Sequence, residues 1–217
     1  MSPLSNVTNP PRRGRPRSEA ARTAILRAAL ELLEARGFAV LSVDAIADRA
    51  QVGRATIYRW WPNKAAVVMD AFLTDTAPQM PFPDTGSARE DLRQQMRSVI
   101  RLFNLPRTSR PFVALIAESQ HDQVLAQALR ERFIASRRDT AKAVLARGVE
   151  RGELRADIDP DVTLDALYGA LYYRLLISGE RLTPRYADVL IDHFYPALTP
   201  PDGWHRTASR SWRWRGS

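Results

Sequence analysis

A chain of 217 residues, 45% hydrophobic and 26% charged, has the make-up of an ordinary soluble protein and is long enough for one small and one larger core. It has no cysteine, which excludes a disulfide framework, a thiolate metal site and a cysteine nucleophile, and fits a reducing cytosol. The formal net charge of +8 favours an anionic partner such as nucleic acid over an acidic substrate. No apolar run approaches the roughly 20 residues that span a bilayer, and the Pro- and Arg-rich start lacks the apolar core of a signal peptide, so a cytoplasmic protein without a membrane partner is expected.

The charge is concentrated at the ends. Residues 1–22 carry five arginines against Glu19 alone, and residues 204–217 carry four arginines and no acid, which together account for the whole net charge. Residues 1–17 read as a basic disordered arm. Its Arg13, Arg15 and Arg17 either reach a minor groove or phosphate backbone or simply solubilise the chain. Ser18 is the expected cap of a first helix running to about Arg36, with Ile25, Ala29, Leu32 and Leu33 on one face and Gly37 as its stop. Phe38, Val40 and Leu41 are expected to close the small core around it.

Residues 42–61 read as a helix-turn-helix. Ser42 can cap the first helix, with Leu41 and Ile46 as a hydrophobic staple. Gln51-Val52-Gly53 forms the corner, where Gly53 accommodates the chain reversal. The second helix, about Arg54 to Trp60, presents Arg54, Ala55, Thr56, Tyr58 and Arg59 outward. Arginine can bond guanine bidentately in a major groove, a small residue allows close approach, and hydroxyls reach phosphates.

Ile46, Ala47, Ala50, Val52, Thr56, Tyr58, Pro62 and Lys64 give the run I-A-x-x-A-x-V-x-x-x-T-x-Y-x-x-x-P-x-K, which resembles the signature of TetR/AcrR-type transcriptional regulators over about residues 18–75. Four places depart from that pattern. Gln51 stands where Gly is usual, Gly53 where a Ser or Thr cap is usual, Ala55 where Gly is common, and Trp60-Trp61 where Tyr-Phe is common. These are mild changes of size that bear on base preference more than on fold.

Asn63 is expected to cap a fourth helix reaching about Asp75. A cation in its first turn, Lys64, opposes the helix dipole but suits a phosphate docked there; solvated surface is the other reading. Residues 77–86, with three prolines and a glycine, form a linker, and Ser87 with Glu90 gives a capping box for the next helix. That helix carries Leu92, Met96, Val99 and Phe103 to about Asn104, where Pro106 breaks it. Further helices are expected at Pro111 to about Gln120, at about Asp122 to Arg151, at 160–178 and at 184–198, the last two opened by Asp159-Pro160 and Thr183-Pro184. No strand-like alternation and no internal repeat stands out. The tail, residues 201–217, alternates Trp and Arg and is best read as a loose end.

The expected architecture is therefore all-α: a three-helix helix-turn-helix domain at residues 18–76, then a larger helical effector-binding and dimerisation domain at residues 87–200, about nine helices in all. The resemblance implies a homodimer on double-stranded DNA, usually a repressor, released by a small-molecule effector; an effector-independent architectural DNA-binding protein is the alternative. Arg54, Ala55 and Arg59 would lie nearest the base edges, with Ser42, Thr56, Tyr58, Trp60 and Lys64 on phosphates. The resemblance also places an effector pocket at Phe103, Phe112, Leu115, Glu118, Phe133, Tyr168 and Tyr172, although each aromatic reads at least as well as core. Glu118 is either solvated or a carboxylate facing a cationic ligand. The apolar arcs of the last two helices are wide enough for a second contact, and the resemblance implies a dimer interface there, at Leu164, Leu171, Leu190, Ile191 and Phe194; a purely internal core is the other reading. The three histidines share no i, i+4 spacing, and no phosphate loop, nucleophile elbow or carboxylate pair is found, so no metal, cofactor or enzymatic activity is implied.

Overall fold

The computed structural model describes residues 15–200, with side chains from Glu19 onward. Among these residues the structure is entirely helical. In chain order the helices are α1 (Arg15–Arg36), α2 (Val43–Ala50), α3 (Arg54–Tyr58), α4 (Lys64–Thr76), α5 (Ala88–Phe103), α6 (Pro106–Ser119), α7 (Gln123–Ala128), α8 (Ser136–Glu150), α9 (Pro160–Tyr173) and α10 (Pro184–Leu198). Wide π turns at Leu129–Ala135 and Arg174–Ser178 follow α7 and α9, so the long runs expected at 122–151 and 160–178 are helical but locally underwound.

Four helix starts follow local chemistry closely. Ser42, Asn63, Asp159 and Thr183 each accept a backbone N–H of the first turn, and proline occupies the first position of α9 and α10. Two expected starts are displaced. Ser18 lies inside α1, which opens at Arg15, and α6 opens at Pro106 rather than Pro111. A proline suits a first turn because its missing N–H would have no partner there, so Pro106 starts a helix as readily as it ends one. Ser87 caps α5 through a long 3.5 Å bond from Glu90 N–H, while the Ala88 N–H donates to Glu153 instead.

The described chain forms two compact units. The first gathers the residues up to Pro78 with Pro106–Ile134, and the second gathers Gln79–Leu105 with Ala135 onward. In the first, α1 packs on α2, α4 and α6. Ile25, Ala29, Leu33, Phe38, Leu41, Ile46 and Ile57 are buried, whereas Val40, expected inside, is 66% exposed. Phe72 of α4, Phe112 of α6 and Phe133 of the π turn form a closed triad with centroids 5.6–5.9 Å apart.

In the second unit α5 packs on α10 and α8, and α8 on α9. Arg93 and Arg97 of α5 reach Asp192 and Asp188 of α10 at 2.7 Å; Arg89, also 2.7 Å from Asp192, and then Arg93 hold that carboxyl below its ordinary range, and Arg97 does the same for Asp188. Gly148 brings α8 close to α5, since a Cβ there would meet Ala88 Cβ at 2.8 Å and the Leu154 side chain at 2.7 Å. Asp91, fully buried, accepts from both the Thr85 N–H and its hydroxyl at 2.7 Å and so fastens the turn that leads into α5.

Candidate nucleic-acid interface

The reading head is built outward from a few local bonds. Ser42 Oγ accepts the Ala45 N–H at 3.1 Å, and Leu41 and Ile46 are both buried beside it. At the corner the left-handed residue is Gln51 (φ 56°, ψ 46°), while Gly53 is extended (φ −72°, ψ 146°). The reversal expected of Gly53 thus belongs to Gln51, and a Cβ on Gly53 would meet nothing within 4 Å. The Val52 N–H returns to Ala47 O at 3.0 Å, closing the end of α2.

Helix α3 has one anchor, Ile57, which is fully buried. Arg54, Ala55, Tyr58 and Arg59 are exposed, Tyr58 by 54%, and Thr56 is half-buried. Regular helix ends at Tyr58, two residues short of the expectation, and Arg59 and Trp60 follow in a turn. Arg54 pairs with Asp44 of α2. Arg59 lies over the Trp60 ring at 5.4 Å, and Trp60 meets Trp61 edge to face at 5.3 Å.

Behind this face the structure is firmly held. Trp61 is buried and donates its indole N–H to Asp70 at 3.0 Å; the same carboxylate takes Arg22 at 2.9 Å and Arg132 at 3.6 Å. Arg132 also donates to Ala66 O at 3.1 Å. Lys64 is used differently from its expected part as a phosphate ligand. Its half-buried ammonium donates to the carbonyls of Phe38 (3.1 Å), Leu41 (3.2 Å) and Ala39 (3.5 Å) and lies 4.4 Å from the Phe38 ring centroid. These carbonyls follow the C-terminus of α1, so a lysine that opposes the dipole of its own helix is compensated by a cluster of acceptors elsewhere. Arg13 lies outside the described residues, as do the side chains of Arg15 and Arg17 and the Trp/Arg tail.

The other expected sites come out less as foreseen. Phe112, Leu115, Glu118 and Phe133 belong to the first unit and Phe103, Tyr168 and Tyr172 to the second. Phe112 and Phe133 complete the Phe72 triad, a core task, and Glu118 is half-buried at the end of α6. In the second unit Tyr172 lies 6.3 Å from Phe103 and 6.5 Å from Tyr168. Of the residues assigned to a dimer interface, Leu164, Leu171, Leu190 and Ile191 are buried within the single chain and Phe194 is half-buried. The apolar stripe read from the sequence is the inner face of these helices. The apolar residues and glycine exposed along these helices and the π turn after α9 are Val162 (65%), Gly169, Tyr173 (60%), Ile177 (72%) and Val189 (42%), beside exposed charges such as Asp161, Asp165 and Arg185. An open groove of about 600 Å³ runs past Ala166, Gly169, Ala170, Tyr173 and Tyr186, with Asp165, Arg174 and Glu180 also lining it.

Two family patterns cover most of the chain: bacterial regulatory proteins of the tetR family match residues 25–71, and the tetracyclin repressor-like C-terminal domain matches residues 82–194. The chain belongs to the TetR family of transcriptional regulators. It is 44% identical over 180 residues to the HTH-type transcriptional regulator YdeS of Bacillus subtilis, covering 83% of this chain and 90% of the relative. The crystal structure of the TetR-family regulator SCO0332 superposes with a TM-score of 0.71 at 34% identity over 83% of this chain and 99% of that one. The flavonoid-responsive regulator FrrA does so with a TM-score of 0.64 at 25% identity, over 84% and 98%. As a TetR-family regulator the protein is a DNA-binding regulator of transcription with an N-terminal helix-turn-helix, and its relatives are regulators rather than enzymes.

Proposed function

We propose that this TetR-family regulator is a homodimeric repressor that sets α3 of each subunit in a major groove, reads a palindromic operator as two half-sites, and is released by a small-molecule effector. The observation that carries this reading is the chemistry of α3: one buried anchor, with every exposed side chain either cationic, small or hydroxyl-bearing. Arg59 and Arg54 face base edges with Ala55 between them, while Ser42, Thr56, Tyr58 and Trp60 take phosphates. The basic arm with Arg13, Arg15 and Arg17 reaches the flanking duplex. Lys64 acts one layer back, holding residues 38–41 in place beneath the contact surface.

A second copy of the chain fits the outer face of α9 and α10. Gly169 is exposed in mid-helix with nothing within 4 Å of a Cβ built on it, so nothing among the described residues requires a glycine, which costs about 1 kcal/mol of helix propensity against alanine. Close approach of a partner helix supplies the reason, and Val162, Tyr173 and Ile177 supply apolar contact on the same face. Ligand response is supported by the flavonoid-responsive relative. A hundredfold loss of operator affinity requires the effector to prefer the released state by only about 2.7 kcal/mol.

Selection of bound fragments from random duplex DNA, repeated with candidate small molecules, tests this function. The reading expects an inverted repeat shared by the selected fragments. A pool without a common sequence would contradict it.

A further inference from the structure

Arg137, in the second unit, is a half-buried charge with no counter-ion among the described residues. Arg137 of α8 stands on the stripe that continues through Ala141, Val144, Leu145 and Gly148, all buried. Its Nη2 donates to Met80 O at 3.1 Å and, with the Gln95 amide turned so that Nε2 donates to Pro81 O at 2.6 Å, to Gln95 Oε1 at 3.0 Å. The Phe82 ring covers one face, its centroid 5.0 Å from Cζ. That leaves the N–H groups of Nε and Nη1 without an acceptor among the described residues.

No carboxylate of the described residues pairs with Arg137. The neighbouring Arg138 has two, Asp161 at 2.6 Å and Asp165 at 2.5 Å. Burial works against the Arg137 charge, and the titratable groups that face it are the phenols of Tyr168 and Tyr172, with no acid among them. Both phenols are themselves pushed up by burial, so they are neutral hydrogen-bonding groups at any physiological pH. The Tyr168 hydroxyl lies 3.4 Å from the Gln95 amide that also receives Arg137.

We propose that Arg137 binds the carboxylate of an organic anion, with Tyr168 beside it, and that the effector of this regulator is therefore an acid carried on an apolar or aromatic body. The inference rests on the ligand-responsive reading above. Because Nη2 belongs to both forked edges of a guanidinium, the open Nε–H and Nη1–H groups lie on opposite sides of it, and a carboxylate would meet one of them through a single charge-assisted bond. A half-buried cation with no acid nearby is a costly feature for a helix stripe to keep, and an anionic ligand would complete it. The rings of Phe82, Tyr168, Tyr172 and Phe103 supply apolar surface in the same unit. The polarity is opposite to that suggested by Glu118, which belongs to the other unit.

The test is calorimetric titration of the full-length protein, without DNA, with matched acids and alcohols: 2-naphthoate against 2-naphthalenemethanol, and decanoate against decanol. At least one acid is expected to bind tenfold or more tightly than its alcohol. Arg137→Gln should remove that preference, Arg137→Lys restore part of it, and Tyr168→Phe weaken the acid a few-fold. Because Arg137 also holds Met80 O, the acid–alcohol contrast in the unmodified protein decides the matter if a variant fails to fold. Acids that bind no better than alcohols, no binding by either, or an Arg137→Gln protein with unchanged acid preference would each overturn the proposal. Operator release, assayed separately, tells the two readings apart. An acid that binds at Arg137 without releasing DNA leaves the site standing and sinks the effector role, whereas release by neutral compounds alone does the reverse.

Discussion

Helix α3 with the turn after it and the α9–α10 pair both leave large side chains in water, but only the second leaves a set of apolar ones. At α3 they are Arg54, Tyr58 and Arg59, groups that donate hydrogen bonds or carry charge; along α9, its π turn and α10, Val162, Tyr173, Ile177 and Val189 stand exposed around the bare Gly169, beside the charged Asp161, Asp165, Arg185 and Asp192. A surface of the first kind is matched by phosphates and base edges, one of the second by another protein surface. Exposure alone therefore says little; its chemistry is what supports the proposed assignment of α3 to nucleic acid and of the α9–α10 face to a second copy of the chain.

The strongest way to break that contrast is to put charge on the apolar face. Gly169→Arg should convert a dimer to a monomer by sedimentation and lower operator affinity on the order of 100-fold or more, because linked binding of two heads is lost. An unchanged dimer would remove α9 from the interface. Arg59→Ala comes next. Losing one base-edge arginine should cost about 1–3 kcal/mol of operator affinity and relax base preference, with a smaller loss for Arg54→Ala, whose guanidinium is already engaged with Asp44. Equal losses on operator and unrelated DNA would demote both to phosphate contacts.

Lys64→Ala sharpens the comparison differently. With its ammonium committed to three carbonyls, its removal should lower the free energy of unfolding in urea by about 2 kcal/mol while leaving base preference unchanged. A fully stable variant with a shallower salt slope would return Lys64 to the DNA. The smallest effect is expected at the corner, where Gln51→Gly should raise stability by about 0.5–1 kcal/mol through relief of a left-handed non-glycine residue. A loss of stability would show that the Gln51 side chain has an anchoring part.

What was legible in the sequence is what is decided within a few residues. The caps at Ser42, Asn63, Asp159 and Thr183 are each read from one side chain and the turn that follows. The reading-helix face follows in the same way from five consecutive residues around Ile57. Other features are settled by distant partners. Lys64 finds its carbonyls more than 20 residues upstream, and Asp70 gathers groups from α1, from Trp61 and from Arg132. Periodicity shows that a helix has an apolar side without showing whether the chain itself covers it, which is why Leu164, Leu171, Leu190 and Ile191 were expected at an interface and lie in the core. Arg137 has a local signal, since it stands at the start of the apolar stripe of Ala141, Val144 and Gly148, but its partners Met80, Phe82 and Gln95 come from far upstream in the chain.

Hydroxyl-radical footprinting on a selected operator fragment tests the central claim most directly. The account predicts two protected patches related by a dyad, both weakened by Arg59→Ala and both broken up by Gly169→Arg. A single patch, or even protection along the whole fragment that neither substitution alters, would contradict it.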